Sequence, residues 1–472
     1  MKLKLTVIII LACSGIAVYS QTPQEIYHIP LRDVLTDIGN KYNVRLQYSE
    51  SLVKGVDVSF PTWRYRSDIE ATLTNILMPL DMIFEKTGND SYSISRYSYY
   101  QRPVEEGKKH LDRLLAIYPV LSAWEARKKE LKACFLRQLN LDPMPRKTPL
   151  NPIYTPRRKM NGYTVENVAI ETLPGVYLCG SLYRPAKGKG PFPAVLSPHG
   201  HFSDPDTNKY GRYRPDQQYR CAMLARMGAV VFSYEMFAYG ESRLQIDEAD
   251  HRTGLALTIQ TLNSIRVVDF LTSLPYVDLK RIAVTGESGG GTQTFLLTAL
   301  DDRIAVSVPV VMVSSWFFGG CPCESGLPIH SCSEAGTNNA EIAAMASPRP
   351  MLVISDGSDW TRSVPEIEYP YLQKVWSLYG KTENVENVHL ANEGHDYGIS
   401  KRLAMYDFMA RHLGLDINSV KDRNGIIDES KVTIENYEKL LVFGKEGKLP
   451  PSAVKGSESV RNVLKSLQVK QE

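Results

Sequence analysis

Long hydrophobic stretches are scarce in this sequence of 472 residues. A transmembrane helix needs about 20 consecutive, mostly apolar residues, and no run beyond residue 20 is long enough, so a membrane-spanning protein is not expected. An excess of one charge is also missing, because 55 basic and 52 acidic side chains are interspersed and leave a net charge of +3. No basic stripe interleaved with aromatic residues occurs, and we therefore expect no nucleic-acid partner.

The first 20 residues have the composition of an export signal. Two lysines precede the short apolar run at 5–12, and small residues before Gln21 form a cleavage site. We therefore expect an exported protein that is periplasmic or associated with the outer membrane. Cys13 loosely matches a lipoprotein box, but the order of leucine and alanine before it is unusual, so soluble export is preferred over lipidation.

Cysteine is sparse, with 7 residues in the chain. Cys321, Cys323 and Cys332 share one loop, and an exported protein can keep disulfides, so a local bridge to Cys332 is one interpretation whose partner stays open. A zinc site together with His330 is the alternative, but the spacing matches no standard finger or ribbon. We therefore predict no metal and no cofactor, and favour a disulfide or plain packing.

The pattern of the chain changes several times along its length, which is too great for one core. We expect a signal peptide at 1–20, a small α+β domain at 22–98, a helical linker or strap at 99–160, a catalytic domain at 161–415 and a polar carboxy-terminal tail at 416–472. The proline-rich stretch at 141–152 would end the linker.

The amino-terminal domain alternates short strands with helix-like segments at 31–42 and 68–77. Its pattern at 28–31, 44–48 and 71–77 resembles the short N-terminal (STN) domain of secretins and TonB-dependent receptors. The resemblance implies an envelope location and a docking role toward another envelope protein. An accessory α+β cap without its own partner is the alternative.

Strands and helices alternate regularly from residue 161 onward. Strand-like segments occur at 165–171, 176–183, 194–197, 229–234, 282–285, 305–311, 351–355 and 387–390, and helix-like segments at 217–226, 255–274, 291–300, 366–379 and 401–413. Two antiparallel strands followed by strand–helix units predict the α/β class, with the mostly parallel, doubly wound sheet of an α/β-hydrolase. Chemistry is then expected at the carboxyl ends of the strands.

The sequence Gly-Glu-Ser-Gly-Gly at 286–290 lies between a β-branched strand and a helix. A strand that turns sharply into a helix at Gly-x-Ser-x-Gly is a nucleophile elbow, in which small neighbours permit a strained turn that exposes the hydroxyl. Ser288 is therefore the candidate nucleophile. Because the short pattern also occurs by chance, its strand–helix context carries the prediction.

A serine nucleophile needs a base that is oriented by a carboxylate. In α/β-hydrolases the chain order is Ser, acid, His, and His395 is placed as the base because it follows the strand-like segment at 387–390 and lies beside a glycine. Three carboxylates remain open as the acid. Asp359 is preferred, because its Gly-x-Asp spacing resembles the acid loop of dienelactone hydrolase-like enzymes, and Glu324 and Asp356 are the alternatives.

Hydrolysis by acyl transfer also needs donors for the oxyanion of the tetrahedral intermediate. The backbone N–H groups of Gly289, which follows the nucleophile, and of His201, which follows the strand-like segment at 194–197, are the predicted donors. His199 and His201 could instead form a metal pair, but no third ligand lies near them in the sequence.

Several motifs in this order resemble the acetyl xylan esterase-like and dienelactone hydrolase-like branch of the α/β-hydrolases, over roughly residues 120–415. They are Arg-Pro at 184–185, Pro-His-Gly-His at 198–201, and the segments 234–240, 286–290, 356–360 and 394–395. The resemblance implies cofactor-free hydrolysis of a small ester or a decorated carbohydrate through an acyl-serine intermediate, with acetyl as the expected acyl group. The cysteine-rich loop at 319–332 departs from the pattern.

Three aromatic residues near these loops, Trp316, Tyr239 and Trp360, are candidates for stacking on a sugar, and ordinary core packing explains them equally well. A peptidase of the prolyl-oligopeptidase type has the same triad order, but it carries a β-propeller for which the preceding segment is too short and too helical. A docking protein with a non-catalytic hydrolase scaffold is the third interpretation, and the complete triad argues against it.

Overall fold

The computed structural model of the protein describes residues 28–80, 82–96, 100–201 and 211–468. The predicted signal peptide and Cys13 lie outside these residues. The chain divides into two units, Met1–Tyr97 and Ser98–Glu472. Within the described ranges, no helix is both long and apolar enough to cross a membrane.

The first unit is a small α+β domain. Its elements are β1 (His28–Pro30), α1 (Leu31–Tyr42), β2 (Arg45–Gln47), α2 (Glu50–Val53), β3 (Asp57–Ser59), α3 (Pro61–Arg64), α4 (Ile69–Leu77), β4 (Met82–Gly88) and β5 (Ser91–Arg96). Strands β1 and β3 pair antiparallel, and β2, β5 and β4 form a separate sheet in that order. Apolar residues at helical spacing on α1, among them Val34 and Ile38, are buried in the core of this unit.

The second unit begins with β6 (Tyr100–Gln101), α5 (Val104–Ile117), α6 (Leu121–Gln138), β7 (Ile153–Tyr154), β8 (Arg158–Lys159), β9 (Tyr163–Leu173), β10 (Val176–Pro185), β11 (Phe192–Pro198), α7 (Pro215–Arg226), β12 (Val230–Tyr234), α8 (Gly254–Ser273) and β13 (Val277–Glu287). It continues with α9 (Gly289–Leu300), β14 (Val306–Val310), β15 (Phe317–Gly319), α10 (Pro322–Ser325), α11 (Asn339–Ala344), β16 (Met351–Asp356), α12 (Glu368–Ser377), β17 (Val385–Leu390), α13 (Ile399–Leu413) and α14 (Ser457–Leu467).

One ten-stranded sheet organises the second unit. Its strand order is β17-β16-β14-β13-β11-β12-β10-β9-β7, with β8 also paired to β9. The strands from β12 to β17 in this order pair parallel, while β10 pairs antiparallel with β12 and β9. The predicted α/β class with a mostly parallel, doubly wound sheet is therefore confirmed.

The central strands lie between two layers of helices. Residues 282–287 of β13 are all buried, and so is every residue of α9. Continuous apolar runs without alternation are typical of strands that are covered on both faces. The carboxyl ends of β11, β12, β13, β16 and β17 therefore meet at one edge of a rigid sheet.

The segments predicted as a linker and as a polar tail belong to the second unit, whose bounds include both. Trp124 and Leu131 of α6 are fully buried, and they share one hydrophobic cluster with Val460 and Leu464 of α14. Both the helical segment at 99–160 and the polar segment at 416–472 thus contribute side chains to the core of the second unit. The few apolar residues of α14 lie on one face of the helix. The overall composition of the segment is polar and does not reveal this face.

A disulfide joins Cys134 of α6 to Cys332, across a sequence separation of 198 residues. The local bridge considered for Cys332 is therefore not the one that forms. Cys321 and Cys323, its neighbours in the sequence, remain buried thiols. The bond ties the helical segment before the sheet to the cysteine-rich loop.

We predict that the double substitution Cys134→Ala and Cys332→Ala lowers the free energy of unfolding by about 2–4 kcal/mol, because the bond restricts a long loop of the unfolded chain. Chemical denaturation followed by tryptophan fluorescence measures the change. Wild type in dithiothreitol should unfold at the midpoint of the variant, and the variant should not respond to the reductant. Equal stability of variant and wild type without reductant would contradict this prediction.

Candidate active site

A cleft of about 480 Å³ lies at the carboxyl edge of the sheet. It is lined by residues from the loops after five strands and from the cysteine-rich loop, namely His201, Tyr239, Glu248, His251, Arg252, Ser288, Gly320, Cys321, Glu324, Trp360 and His395. The predicted nucleophile and base therefore share one cleft with the predicted oxyanion loop. This position is the one expected for a ligand of an open α/β sheet.

Ser288 occupies a strained turn between β13 and α9. Its φ is 55° and its ψ is −122°, a backbone conformation that residues other than glycine rarely adopt. The neighbouring glycines are required by space, since a Cβ on Gly286 would lie 2.5 Å from the carbonyl oxygen of Pro198 and one on Gly290 would lie 2.6 Å from the same atom. The turn has the geometry of a nucleophile elbow.

His395 is held by Asp359. Its Nδ1 lies 2.5 Å from Asp359 Oδ2, and the other carboxylate oxygen accepts hydrogen bonds of 2.6 Å from both the N–H and the hydroxyl of Thr361. A carboxylate that takes the Nδ1–H of an imidazole leaves Nε2 to act as a base. The structure thus brings together the histidine and the acid that the sequence analysis prefers.

The two alternative acids have other contacts. Asp356 is buried, accepts the backbone N–H groups of Ser358 and Asp359, and lies 3.5 Å from Lys401 Nζ. Burial, together with the charge of Asp359, raises its pKa. Glu324 accepts the N–H of Gly320 at 2.7 Å and its Oε1 lies 3.7 Å from His201 Nδ1. Burial raises the pKa of Glu324 as well.

The two predicted oxyanion donors lie against the nucleophile. Gly289 is the first residue of α9, where backbone N–H groups have no partner within the helix. A Cβ on Gly289 would lie 2.5 Å from Cε1 of His201, and one on Gly200 would lie 3.1 Å from Cβ of Ser288. The start of the loop after β11, at Gly200 and His201, therefore lies directly against the elbow.

Glu287, the residue before the nucleophile, fixes this loop, and the sequence analysis did not single it out. Its carboxylate is fully buried, lies 3.0 Å from Arg214 and 2.8 Å from Arg220, and accepts the N–H of Gly200 at 3.2 Å. Burial alone would raise its pKa, but the two guanidinium groups hold that pKa below its usual value. An acidic residue shortly after the apolar stretch at 282–284 and next to the nucleophile is the sequence feature that could have identified this group.

His199 also holds the loop, and it does not form a metal pair with His201. Its Nδ1 lies 2.8 Å from the carbonyl oxygen of Gly200, and its Nε2 accepts the N–H of Met236 at 3.1 Å. Complete burial lowers the pKa of His199 to about 3, so the ring is neutral. Both nitrogens are thus engaged with the backbone.

The three aromatic candidates have different positions. Tyr239 and Trp360 line the cleft, and the Trp360 ring lies 4.5 Å from that of His395. Trp316 is only 2% exposed and donates its indole N–H to Ser363, with Arg362 over its ring. Trp316 therefore packs as a core residue, which is the second of the two interpretations that the sequence leaves open. It lies in the chain just after β14, where the sequence does not distinguish an inward side chain from an outward one.

Four potential metal ligands meet beside the oxyanion loop. They are His201, His251, Cys321 and Cys323, and one donor atom of each lies within 4.8 Å of all the others. The sequence predicts no metal here, because His201 and Cys323 are 122 residues apart in the chain and no spacing motif links them. His251, which comes from the 3₁₀ segment Glu248–Arg252, carries no recognisable motif.

Comparison with solved structures links the whole chain to an esterase. Methylesterase BT1017 is 42% identical in sequence, with a TM-score of 0.73, and the match covers 95% of this chain and 98% of that chain. This protein belongs to the same family of α/β-hydrolase esterases. The family model for acetyl xylan esterase (AXE1) matches residues 257–317 of this esterase, which include the elbow.

More distant proteins share smaller parts of this esterase. A glucuronoyl esterase from Solibacter usitatus is 16% identical with a TM-score of 0.46, over 62% of this chain and 94% of that chain. The hydrolase YtaP of Bacillus subtilis (strain 168) is 28% identical over 135 residues, which are 26% of this chain. The esterase spans 45% of the length of that curated relative.

We predict that Glu287→Gln destabilises the esterase by about 3–5 kcal/mol, because it removes the buried charge that the fully buried Arg220 and the partly buried Arg214 both contact. The midpoint of urea denaturation measures the loss. Glu383→Gln is the matched control, since Glu383 forms an exposed pair with Lys381, and exposed pairs contribute about 1 kcal/mol or less. Equal effects of the two substitutions would show that the Glu287 carboxylate does not hold the fold.

Proposed function

We propose that this esterase is a serine carboxylic ester hydrolase in which Ser288 is the nucleophile, His395 the base and Asp359 the orienting acid. The contact between His395 and Asp359 carries the proposal, because it occurs in the same cleft as a serine on a strained turn. A non-catalytic scaffold has no need of either feature. The comparisons support ester hydrolysis over the peptidase interpretation, since the matched proteins with a stated substrate bond are esterases.

The chemistry would proceed in two steps. Ser288 Oγ attacks the ester carbonyl carbon while His395 Nε2 takes the hydroxyl proton, and the oxyanion is stabilised by the N–H groups of Gly289 and His201. His395 then gives the proton to the departing alkoxide, so that an alcohol leaves and an acyl-serine remains. Water, deprotonated by His395, attacks the acyl-serine carbonyl; the bond to Ser288 Oγ breaks, His395 returns the proton to that oxygen, and the acid leaves.

We further propose that the ester is the methyl ester of a sugar carboxylate. The support is Methylesterase BT1017, whose match extends over nearly the whole of both chains. A methyl ester of a carbohydrate requires a sugar with a carboxyl group, which is a uronic acid. The sugar is then the acyl part and is bound to Ser288 while methanol leaves. Arg252, an exposed cation that lines the cleft, is suited to a neighbouring carboxylate of such a polymer.

An acetyl ester is the second candidate, and the acetyl xylan esterase family match over residues 257–317 favours it. The sugar would then be on the alcohol side of the ester bond. It would leave as the alcohol, and only an acetyl group would remain on Ser288. The products distinguish the two candidates directly, as methanol in one case and acetate in the other.

Export is part of the proposal. The disulfide between Cys134 and Cys332 supports it, because disulfides persist mainly outside the reducing cytoplasm. The envelope partner of the amino-terminal domain at 22–98 stays a prediction.

We predict that the wild-type esterase releases methanol from a methyl-esterified polyuronate faster than acetate from acetylated xylan at equal ester concentration. Ser288→Ala should abolish the activity on whichever polymer is cleaved, with residual turnover at least about 10³-fold lower. Quantification of methanol and acetate by gas chromatography provides the measurement. Acetate as the main product would favour the acetyl candidate, and turnover that survives Ser288→Ala would disprove the serine mechanism.

We predict that Asp359→Asn lowers kcat by about 10⁴-fold, because an amide cannot hold the imidazole in the tautomer that accepts a proton. Asp356→Asn is the matched control, a buried aspartate three residues earlier that lies against Lys401. Kinetics on a chromogenic ester, with circular dichroism to verify folding, compare both variants and Glu324→Gln. If Glu324→Gln or Asp356→Asn shows the larger loss in kcat, the assignment of the acid is wrong.

A further inference from the structure

Four side chains from three separate loops converge beside the cleft. His201 lies three residues after the end of β11, His251 lies in the 3₁₀ segment after β12, and Cys321 and Cys323 lie at the start of α10. Nε2 of His201 is 3.0 Å from Nε2 of His251 and 2.8 Å from Sγ of Cys323. With Sγ of Cys321, these atoms form a group in which no separation exceeds 4.8 Å.

The donor atoms of this group are arranged so that a cation fits between them. Nδ1 of His251 lies 2.7 Å from the carbonyl oxygen of Phe237 and donates to it, which leaves Nε2 as the ring atom that faces the group. A single proton on Nε2 of His201 can be directed to His251 or to Cys323, but not to both. A cation between the four atoms satisfies every lone pair at once.

The outer contacts of the two histidines are those of metal ligands. A ligating imidazole usually turns its second nitrogen to a backbone carbonyl or a carboxylate, which fixes the ring. His251 does so with Phe237, and Nδ1 of His201 lies 3.7 Å from the buried carboxylate of Glu324. Both Nε2 atoms are thereby oriented toward the sulfur atoms.

We propose that His201, His251, Cys321 and Cys323 bind one zinc ion. Two imidazole nitrogens and two thiolates are a donor set that zinc takes in tetrahedral geometry. Cys323 is fully buried, and His251 and Cys321 are about as inaccessible, at 5% and 6% exposed. Four protein ligands leave no open position, so this zinc holds structure and does not activate water.

The position of the ion gives it a role in the esterase. It would fix the ring of His201, whose backbone N–H is the proposed oxyanion donor, and it would attach the wall of the cleft at Cys321 to the loop after β11. This role rests on the proposed serine mechanism, whereas the binding of zinc does not. Metal content therefore tests whether zinc binds, and turnover tests whether it supports the oxyanion donor.

The first experiment measures zinc in the full-length protein after incubation with zinc chloride and gel filtration. Plasma mass spectrometry should give about one zinc per chain for the wild type. The variants His251→Ala and Cys323→Ser should retain less than about a tenth of that amount. Cys179→Ala removes a buried free thiol elsewhere and should keep the full amount, as should Ser288→Ala. A wild type without zinc, or a disulfide between Cys321 and Cys323 in the alkylated and digested protein, would overturn the proposal.

The second experiment removes the metal from the wild type with a chelator and restores it with zinc chloride. We expect a lower melting temperature without zinc and its recovery on addition, together with a loss of kcat of about 10²–10³-fold, the range for one oxyanion donor. Cys179→Ala serves again as the control for both readouts. An unchanged melting temperature in metal-free protein would contradict the site. A lower melting temperature with unchanged kcat would leave the site and the triad standing and refute only the role assigned to His201.

Discussion

The buried carboxylate of Glu287 is the constraint on which the active-site edge depends. It ends β13 one residue before the nucleophile, and it binds Arg214, Arg220 and the N–H of Gly200 at once. A buried charge is costly unless its partners are close and well placed, so any movement of the loop after β11 relative to the elbow carries a large penalty. The proposed oxyanion donors are thus held in place before substrate binds, and preorganised donors of this kind lower the barrier to acyl transfer.

The cysteine-rich loop forms the opposite wall of the cleft. Contacts of its cysteine side chains, and not pairing with the sheet, attach this loop to the rest of the unit. The cysteine-rich loop is attached at its far end to α6 through Cys332 and Cys134, and at its near end it meets His201 and His251 through Cys321 and Cys323. A loop of this length would be expected to vary in conformation. The disulfide at one end and the proposed zinc site at the other restrict this loop, so the wall of the cleft has a defined conformation.

Local features of this esterase could be predicted from the sequence, and contacts between distant segments could not. The elbow at Ser288 and the chain order of Asp359 and His395 depend on neighbours and on topology, which the alternation of apolar residues reveals. The partner of Cys332 lies 198 residues away, and His251 is an isolated histidine in a segment without periodicity. Short elements such as β15 and α10 have too few residues for a pattern, and Trp316 contacts Ser363 and Arg362, which lie far along the chain.

The division of work among three carboxylates follows from their neighbours. Asp356 faces Lys401 and supports the backbone of its own loop, which leaves Asp359 to hold His395. Glu324, the other alternative acid, lies in the loop that carries Cys321 and Cys323, where its carboxylate accepts the N–H of Gly320 and faces His201. The carboxylate that contacts His395 therefore comes from a different loop, the one after β16, and this contact is the reason why Asp359 is the proposed acid.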